Sequence, residues 1–229
     1  WTFLFAGEKP ALAARPASKP KTAGGSGAGV RILTPAILTL TLLYVLLSLS
    51  TNSIGSFSVS ALVGGYGVNL TWANAAVTAF LFASAFGVLA GGALADRTRR
   101  HCLVAAVAFA GAAVLAALAA WGRLPDLALV LCLGATGFLT GVITPSRDML
   151  VRAAAPPGAE GRAFGIVSTG FNIGGAVGPM LFGWLLDRGH FSGIFWAAVV
   201  FMGLTVMLTL LQEHRAARAP RPLSRPATG

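Results

Sequence analysis

Six apolar runs, each near the ~20 residues that a helix needs to cross about 30 Å of hydrocarbon, recur along the chain. They lie at about 32–54, 72–95, 102–121, 127–146, 163–186 and 191–212. The first run continues into Ser56, Ser58 and Ser60 and is expected to break at Gly64 and Gly65. Gly122 to Asp126, with Pro125 inside it, predicts a tight turn between the third and fourth spans. Pro145 to Arg162, interrupted by Pro156, Pro157 and Gly158, predicts the longest basic loop within the domain.

Composition sharpens this pattern. Of the 229 residues 55% are hydrophobic and only 10% charged, with mean hydropathy +0.76, whereas about a quarter of an average soluble domain is charged. The pattern is that of an all-α membrane protein, with the bilayer as a partner. A net charge of +10 would suit nucleic acid only if the basic residues shared a folded face with polar or aromatic readers. They occupy the gaps between apolar runs instead, so no nucleic-acid partner is expected.

The basic residues also predict an orientation. Fifteen of the 17 fall on one side, in the stretch before the first span, in the loops after spans two and four, and in the tail; only Arg123 and Arg188 fall on the other. Both termini are therefore expected in the cytoplasm. Trp72, Trp121, Trp184 and Trp196 all fall near the outer ends of their spans, where an aromatic belt would sit. Residues 1–31, with Lys, Pro and a Gly/Ser run, are expected to be a basic cytoplasmic linker of the kind that buries too little apolar surface to fold. The six-helix domain is expected over 32–212 and a basic cytoplasmic tail over 213–229. Trp1 to Phe5, with no initiator Met before it, reads as the stub of a preceding helix in a longer chain.

One stretch stands apart from the apolar spans. From Gly87 to His101 an apolar helix ends in a knot of charge. Asp96 there meets the negative pole of the helix dipole, a mismatch of about 0.3–1 kcal/mol, so a compensating partner is expected among Arg97, Arg99, Arg100 or the next helix N-terminus. The pattern recurs: Gly87, Gly92, Leu94, Asp96 and Arg97 correspond to Gly178, Gly183, Leu185, Asp187 and Arg188. Three intervening spans put the two copies on opposite sides of a bilayer, as a three-plus-three inverted repeat would.

Gly92-Ala-Leu-Ala-Asp96-Arg97-Thr-Arg-Arg100 resembles the signature loop of the major facilitator superfamily, Gly-x-Leu-x-Asp-Arg-x-Gly-Arg-Arg, with Arg99 at the second glycine. Gly165, Gly174, Gly178-Pro179 and Gly183 are similar to the family's glycine-rich antiporter motif, with Phe182 replacing one glycine. The resemblance implies one six-helix half of a twelve-helix fold, whose other half would be its partner. Pro145 to Arg152 and Gly161 to Gly189 look like second halves of fosmidomycin-resistance-like bacterial facilitators, while both motifs are usually clearest in first halves. The implied function is secondary active transport of a small molecule across a bacterial inner membrane by alternating access, in proton-coupled efflux without a cofactor. A non-transporting scaffold or receptor of the same fold is the alternative.

The resemblance also implies roles for residues. Gly92, Asp96, Arg97 and Arg100 would form a cytoplasmic latch with Arg147 and Asp148 as neighbours, or else serve only as an orientation signal during insertion. Gly174, Gly178 and Pro179 would let helices approach and bend, or serve packing alone. In the family the first and fourth helices line the cavity, which points to Asn52, Ser53 and Ser56, to Thr136, Phe138 and Thr140, and, near mid-depth, to Asn172 on the fifth span; hydrogen bonding between helices is the competing role.

Enzyme chemistry is not expected. His101, His190 and His214 lie at membrane boundaries, so Ser168 lacks a base within reach, and histidines, carboxylates and cysteines never gather at metal-ligand spacing. Cys102 and Cys132 are too far apart in depth for a disulfide and read as small buried hydrophobes. All seven acidic residues are expected in loops, tails or helix ends, so any proton-coupling group is expected in the absent half.

Overall fold

Thr34 caps the first helix by accepting the Ile37 N–H at 3.3 Å, and Pro35 fills the first turn, where a missing N–H is harmless. A computed structural model of the chain describes residues 34–98, 101–122, 124–156 and 158–218. It contains six helices: α1 (Pro35–Tyr66), α2 (Leu70–Arg97), α3 (His101–Ala120), α4 (Asp126–Ala154), α5 (Glu160–Asp187) and α6 (Ser192–Arg218). All six are long and apolar enough to cross a membrane. The stretch 1–31 and the residues beyond 218 lie outside the described residues, as does Arg100.

Two helices run well past their expected ends. α1 does not break at Gly64 and Gly65, because the Phe191 ring packs directly on both. It stops at Gly67, whose φ of +66° turns the chain and lets Val68 N–H close on Leu62 O at 3.1 Å. The serines of its last turns do not weaken it either, since Ser58 Oγ bonds back to Ile54 O.

α4 continues through Pro145 to Ala154, where the pattern of prolines predicted a loop. Proline removes one ladder bond, but the two turns beyond it bury Val151 and pack Leu150 and Ala154 on a cluster with Ile37, Leu40, Leu43, Tyr44, Ala163 and Val167 from α1 and α5. That cluster holds the helix together past its own weak point. Arg147 and Asp148 are thereby helical residues rather than loop residues.

The packing carries the internal symmetry. Exchanging α1 with α4, α2 with α5 and α3 with α6 maps the tightest pair, α2 on α4, onto α5 on α1, and maps α3 on α4 onto α6 on α1, while α3 on α6 maps onto itself. This is the three-plus-three inverted repeat realised as contacts, and the two Asp-Arg helix ends close α2 and α5 at opposite ends of the bundle.

Both crossed pairs meet through small residues. On α2, Gly87 and Gly91 lie against the backbone of Phe138, Gly141 and Val142, while Gly137 and Gly141 of α4 lie against Phe80 and Ser84 carbonyls. On α5, Gly170 lies against Thr41, and an added Cβ at Gly174 would stand 2.6 Å from Ser48 Cβ and 2.7 Å from Val45 O. Such faces let backbones approach where apolar burial gives no driving force between helices.

Candidate functional site

A cleft of about 540 Å³ opens between α1, α2, α4 and α5. Helical periodicity decides which side chains reach it. On α1, Thr51, Asn52, Gly55 and Ser56 fall on one face, and on α4, Thr140, Thr144 and Arg147 follow at i, i+4 and i+7. Ser84 from α2 adds another hydroxyl, while Phe80 and Phe171 supply aromatic walls.

Several of these groups have already used their donors. Thr51 Oγ1 donates to Leu47 O at 2.9 Å and Thr140 Oγ1 to Gly137 O at 2.8 Å. Asn52 Nδ2 donates to Ser48 O at 2.8 Å and Ser48 Oγ at 3.2 Å. What they turn to the cleft is acceptor capacity.

At the end of the bundle that carries the α2–α3 and α4–α5 connections, charge is concentrated on three helices. Tyr44 of α1 donates its hydroxyl to Asp148 Oδ1 at 2.7 Å, and Arg147 Nε reaches the same oxygen at 3.2 Å. The Arg147 guanidinium stands 4.5 Å from the Tyr44 ring centroid and 5.7 Å from that of Phe171 on α5, within cation–π range. Tyr44 is buried, its ring covered and its hydroxyl satisfied. Beside this cluster Ser146 Oγ is buried with no hydrogen-bond partner among the described residues.

Asn52, Ser56 and Thr140 line the cleft. Phe138 and Asn172 do not: Phe138 is two residues, about 200° of helix, away from Thr140 and faces an apolar groove between α2, α3 and α4, while Asn172 is exposed one residue past the lining Phe171. Ser53 is turned to α6, donating to Ile194 O at 2.6 Å, and Thr136 is buried with its hydroxyl on Cys132 O. Gly178 makes ordinary contacts with Asn52 and Leu49, Pro179 is exposed within α5, and Gly92 faces open space. Asp96 and Arg97 are exposed at the end of α2, and among the described residues the one ion pair is Arg147 with Asp148.

Sequence reasoning missed Gly170, Gly87, Gly91, Gly137 and Gly141 as contact glycines, although their spacing by four was the available signal. It also missed Tyr44 and Phe171, which become recognisable only once α4 is known to continue past Pro145. Among the described residues no three His, Cys, Asp or Glu side chains gather to hold a metal. Cys132 is buried and free, its thiol on Leu115 O at 3.1 Å; the Cys102 side chain lies outside the described residues.

Residues 40–228 match the Major Facilitator Superfamily, and the chain belongs to that family: its six helices are half of the twelve-helix facilitator fold. It is 29% identical over 176 residues to a gallate transporter of Pseudomonas putida, covering 76% of this chain and 37% of that protein. It is 29% identical over 164 residues to the fatty acid resistance protein FarB of Neisseria gonorrhoeae, covering 70% and 31%. With the multidrug resistance protein MdtH of Photorhabdus laumondii it shares 33% identity over 96 residues, covering 41% and 23%. The chain therefore spans between 23% and 37% of the length of these relatives.

Among solved structures, a bacterial homologue of the human lysosomal transporter Spinster superposes with a TM-score of 0.63 at 18% identity, covering 88% of this chain and 47% of that one. A POT family transporter gives 0.61 at 20% identity, covering 77% and 38%. These likenesses establish the shared fold. The chain is a multi-pass membrane protein of a family with bacterial transporters among its close relatives.

Proposed function

We propose that this chain is one six-helix half, the second, of a secondary transporter that moves a small organic molecule across a bacterial inner membrane by alternating access, in proton-coupled efflux. The observation that carries the reading is the cleft: in a bundle built almost wholly of apolar and small residues, polar side chains of α1, α2 and α4 converge on one open space near the middle of their helices. Polar groups are costly in hydrocarbon unless paired or wetted, so a wet path is the economical reason to gather them. The relatives support the class, one being named for gallate and another for resistance to fatty acids.

In this reading Asn52, Ser56 and Thr140 are cavity wall. Gly92, Asp96, Arg97 and Arg100 form the gate on the cytoplasmic side, with Arg147 and Asp148 behind it. Gly174, Gly178 and Pro179 make the α5 seam along which helices rock. Both termini lie in the cytoplasm, and residues 1–31 link the two halves.

The test is reconstitution of the complete natural protein in proteoliposomes with an entrapped pH dye. Cargo added against a pH gradient should move protons and cargo in opposite directions. Uptake of cargo without proton movement would remove the coupling, and absence of movement for every compound that binds would remove transport.

A further inference from the structure

We infer that Arg147 anchors an anionic group of the cargo, a carboxylate, so that this cleft takes organic acids with an apolar or aromatic body. The inference rests on the cleft being the cargo site of a transporter. Among the described residues Arg147 is the one charged side chain lining it, and no carboxylate lines it to receive a cation. Asp148 pairs with Arg147 from outside the lining, so what faces the cleft is the guanidinium: a positively charged cargo would meet a like charge there and an anion an opposite one.

The hydrogen-bond inventory points the same way. An anion must be held by donors: those of Thr51, Thr140 and Asn52 are turned back on their own helices, which leaves the Ser56, Ser84 and Thr144 hydroxyls and the Arg147 guanidinium as donors in the lining. Arg147 spends Nε on Asp148, and its two terminal amino groups have no ion-pair partner among the described residues. A planar fork of this kind suits a carboxylate.

Orientation is fixed in advance. The Tyr44 and Phe171 rings both stand within cation–π range of the guanidinium, while Tyr44 O–H shares Asp148 Oδ1 with Arg147. Asp148 is thus doubly occupied at that oxygen and positions the arginine. Phe171 and Phe80 then offer aromatic surface to the body of the acid.

The experiment measures thermal stabilisation of the complete natural protein in phosphatidylcholine nanodiscs, which contain no anionic lipid. The probes are 4-hydroxybenzoate, its neutral amide, the cation phenyltrimethylammonium, and decanoate with decanamide as a longer pair. At least one carboxylate should bind about tenfold or more tightly than its own amide, as expected of a charge-assisted contact, and the cation should not bind. Arg147→Gln should erase the difference between acid and amide, and Arg147→Lys should keep part of it.

Equal binding of acid and amide, or a preference that survives Arg147→Gln, overturns the proposal. So does stabilisation by added phosphatidylglycerol alone, with no response to either acid, since the arginine would then serve a lipid headgroup. If Arg147→Gln does not fold, the comparison of acid with amide on the unaltered protein still decides. A carboxylate that binds through Arg147 without crossing the proteoliposome membrane would leave the anchor standing and remove the transport reading alone.

Discussion

Tyr44 on α1 donates its hydroxyl hydrogen to Asp148 on α4 across 2.7 Å. The two residues are joined over 104 positions of sequence, and the bond is the polar tie between the first helices of the two repeats at their charged end. It fixes the carboxylate that orients Arg147 and satisfies a tyrosine that would otherwise be buried with an orphan hydroxyl.

Removing that tie should be measurable. Tyr44→Phe keeps the ring under Arg147 and deletes only the donor, so the protein should fold and lose about 1–2 kcal/mol, within the range for a hydrogen bond to a charged group that is partly exposed. Ser146→Ala is the counterpart: its buried hydroxyl has no partner among the described residues, so its removal should cost nothing or stabilise. Both are read as melting-temperature shifts in detergent. A larger loss for Ser146→Ala than for Tyr44→Phe would contradict the bonding described.

The seam between α2 and α4 gives a second pair. A methyl at Gly141 would run into the Ser84 carbonyl, whereas one at Gly92 meets open space. Gly141→Ala should destabilise by about 1–3 kcal/mol, the usual cost of overpacking, and Gly92→Ala should leave the melting temperature nearly unchanged. Any loss of activity in Gly92→Ala would then belong to gating rather than to folding.

Gating is addressed by Asp96→Asn in the complete protein. Removing the charge at the exposed end of α2 should lower transport severalfold while leaving membrane insertion and cargo affinity nearly intact, because a latch changes populations more than contacts. Transport at the normal rate in vesicles containing equal amounts of protein would leave Asp96 no more than an insertion signal.

Topology is tested by thiol labelling in a background lacking Cys102 and Cys132. Gly122 is a poor place for the outside probe, since its φ is +67° and a side chain there would strike the Tyr66 ring. Arg188 is exposed just past α5, so Arg188→Cys should react with an impermeant maleimide in intact cells and Thr98→Cys should not. The opposite labelling would invert the proposed orientation.

The helices themselves were legible in the chain because an apolar run of membrane length has few alternatives. Their ends were not. Pro145 and Gly64 are breakers by local rule, yet Val151 on α1 and α5, and Phe191 on the glycines, override the rule from far away in sequence. The same distance explains the site. Asn52, Ser56 and Thr140, which stand out as polar residues in apolar helices, line the cleft, while Phe138 and Asn172 fall outside its lining because the facing side of a helix is set by its neighbours. Arg147 and Asp148 were noticed for their charge, but Tyr44 and Phe171, which give them a fixed posture, look like ordinary aromatic core until the fold is known.

The crossed glycine seams also bear on how the protein is made. α2 packs most closely on α4, and α5 reaches back to α1, so each repeat of three lends its middle helix to the other. During translation, Gly87 and Gly91 must enter the bilayer before the α4 surface that covers them has left the ribosome. A nascent chain halted after α3 would hold α2 with its smooth face towards lipid or an insertase, and assembly of the bundle would begin only as α4 arrives.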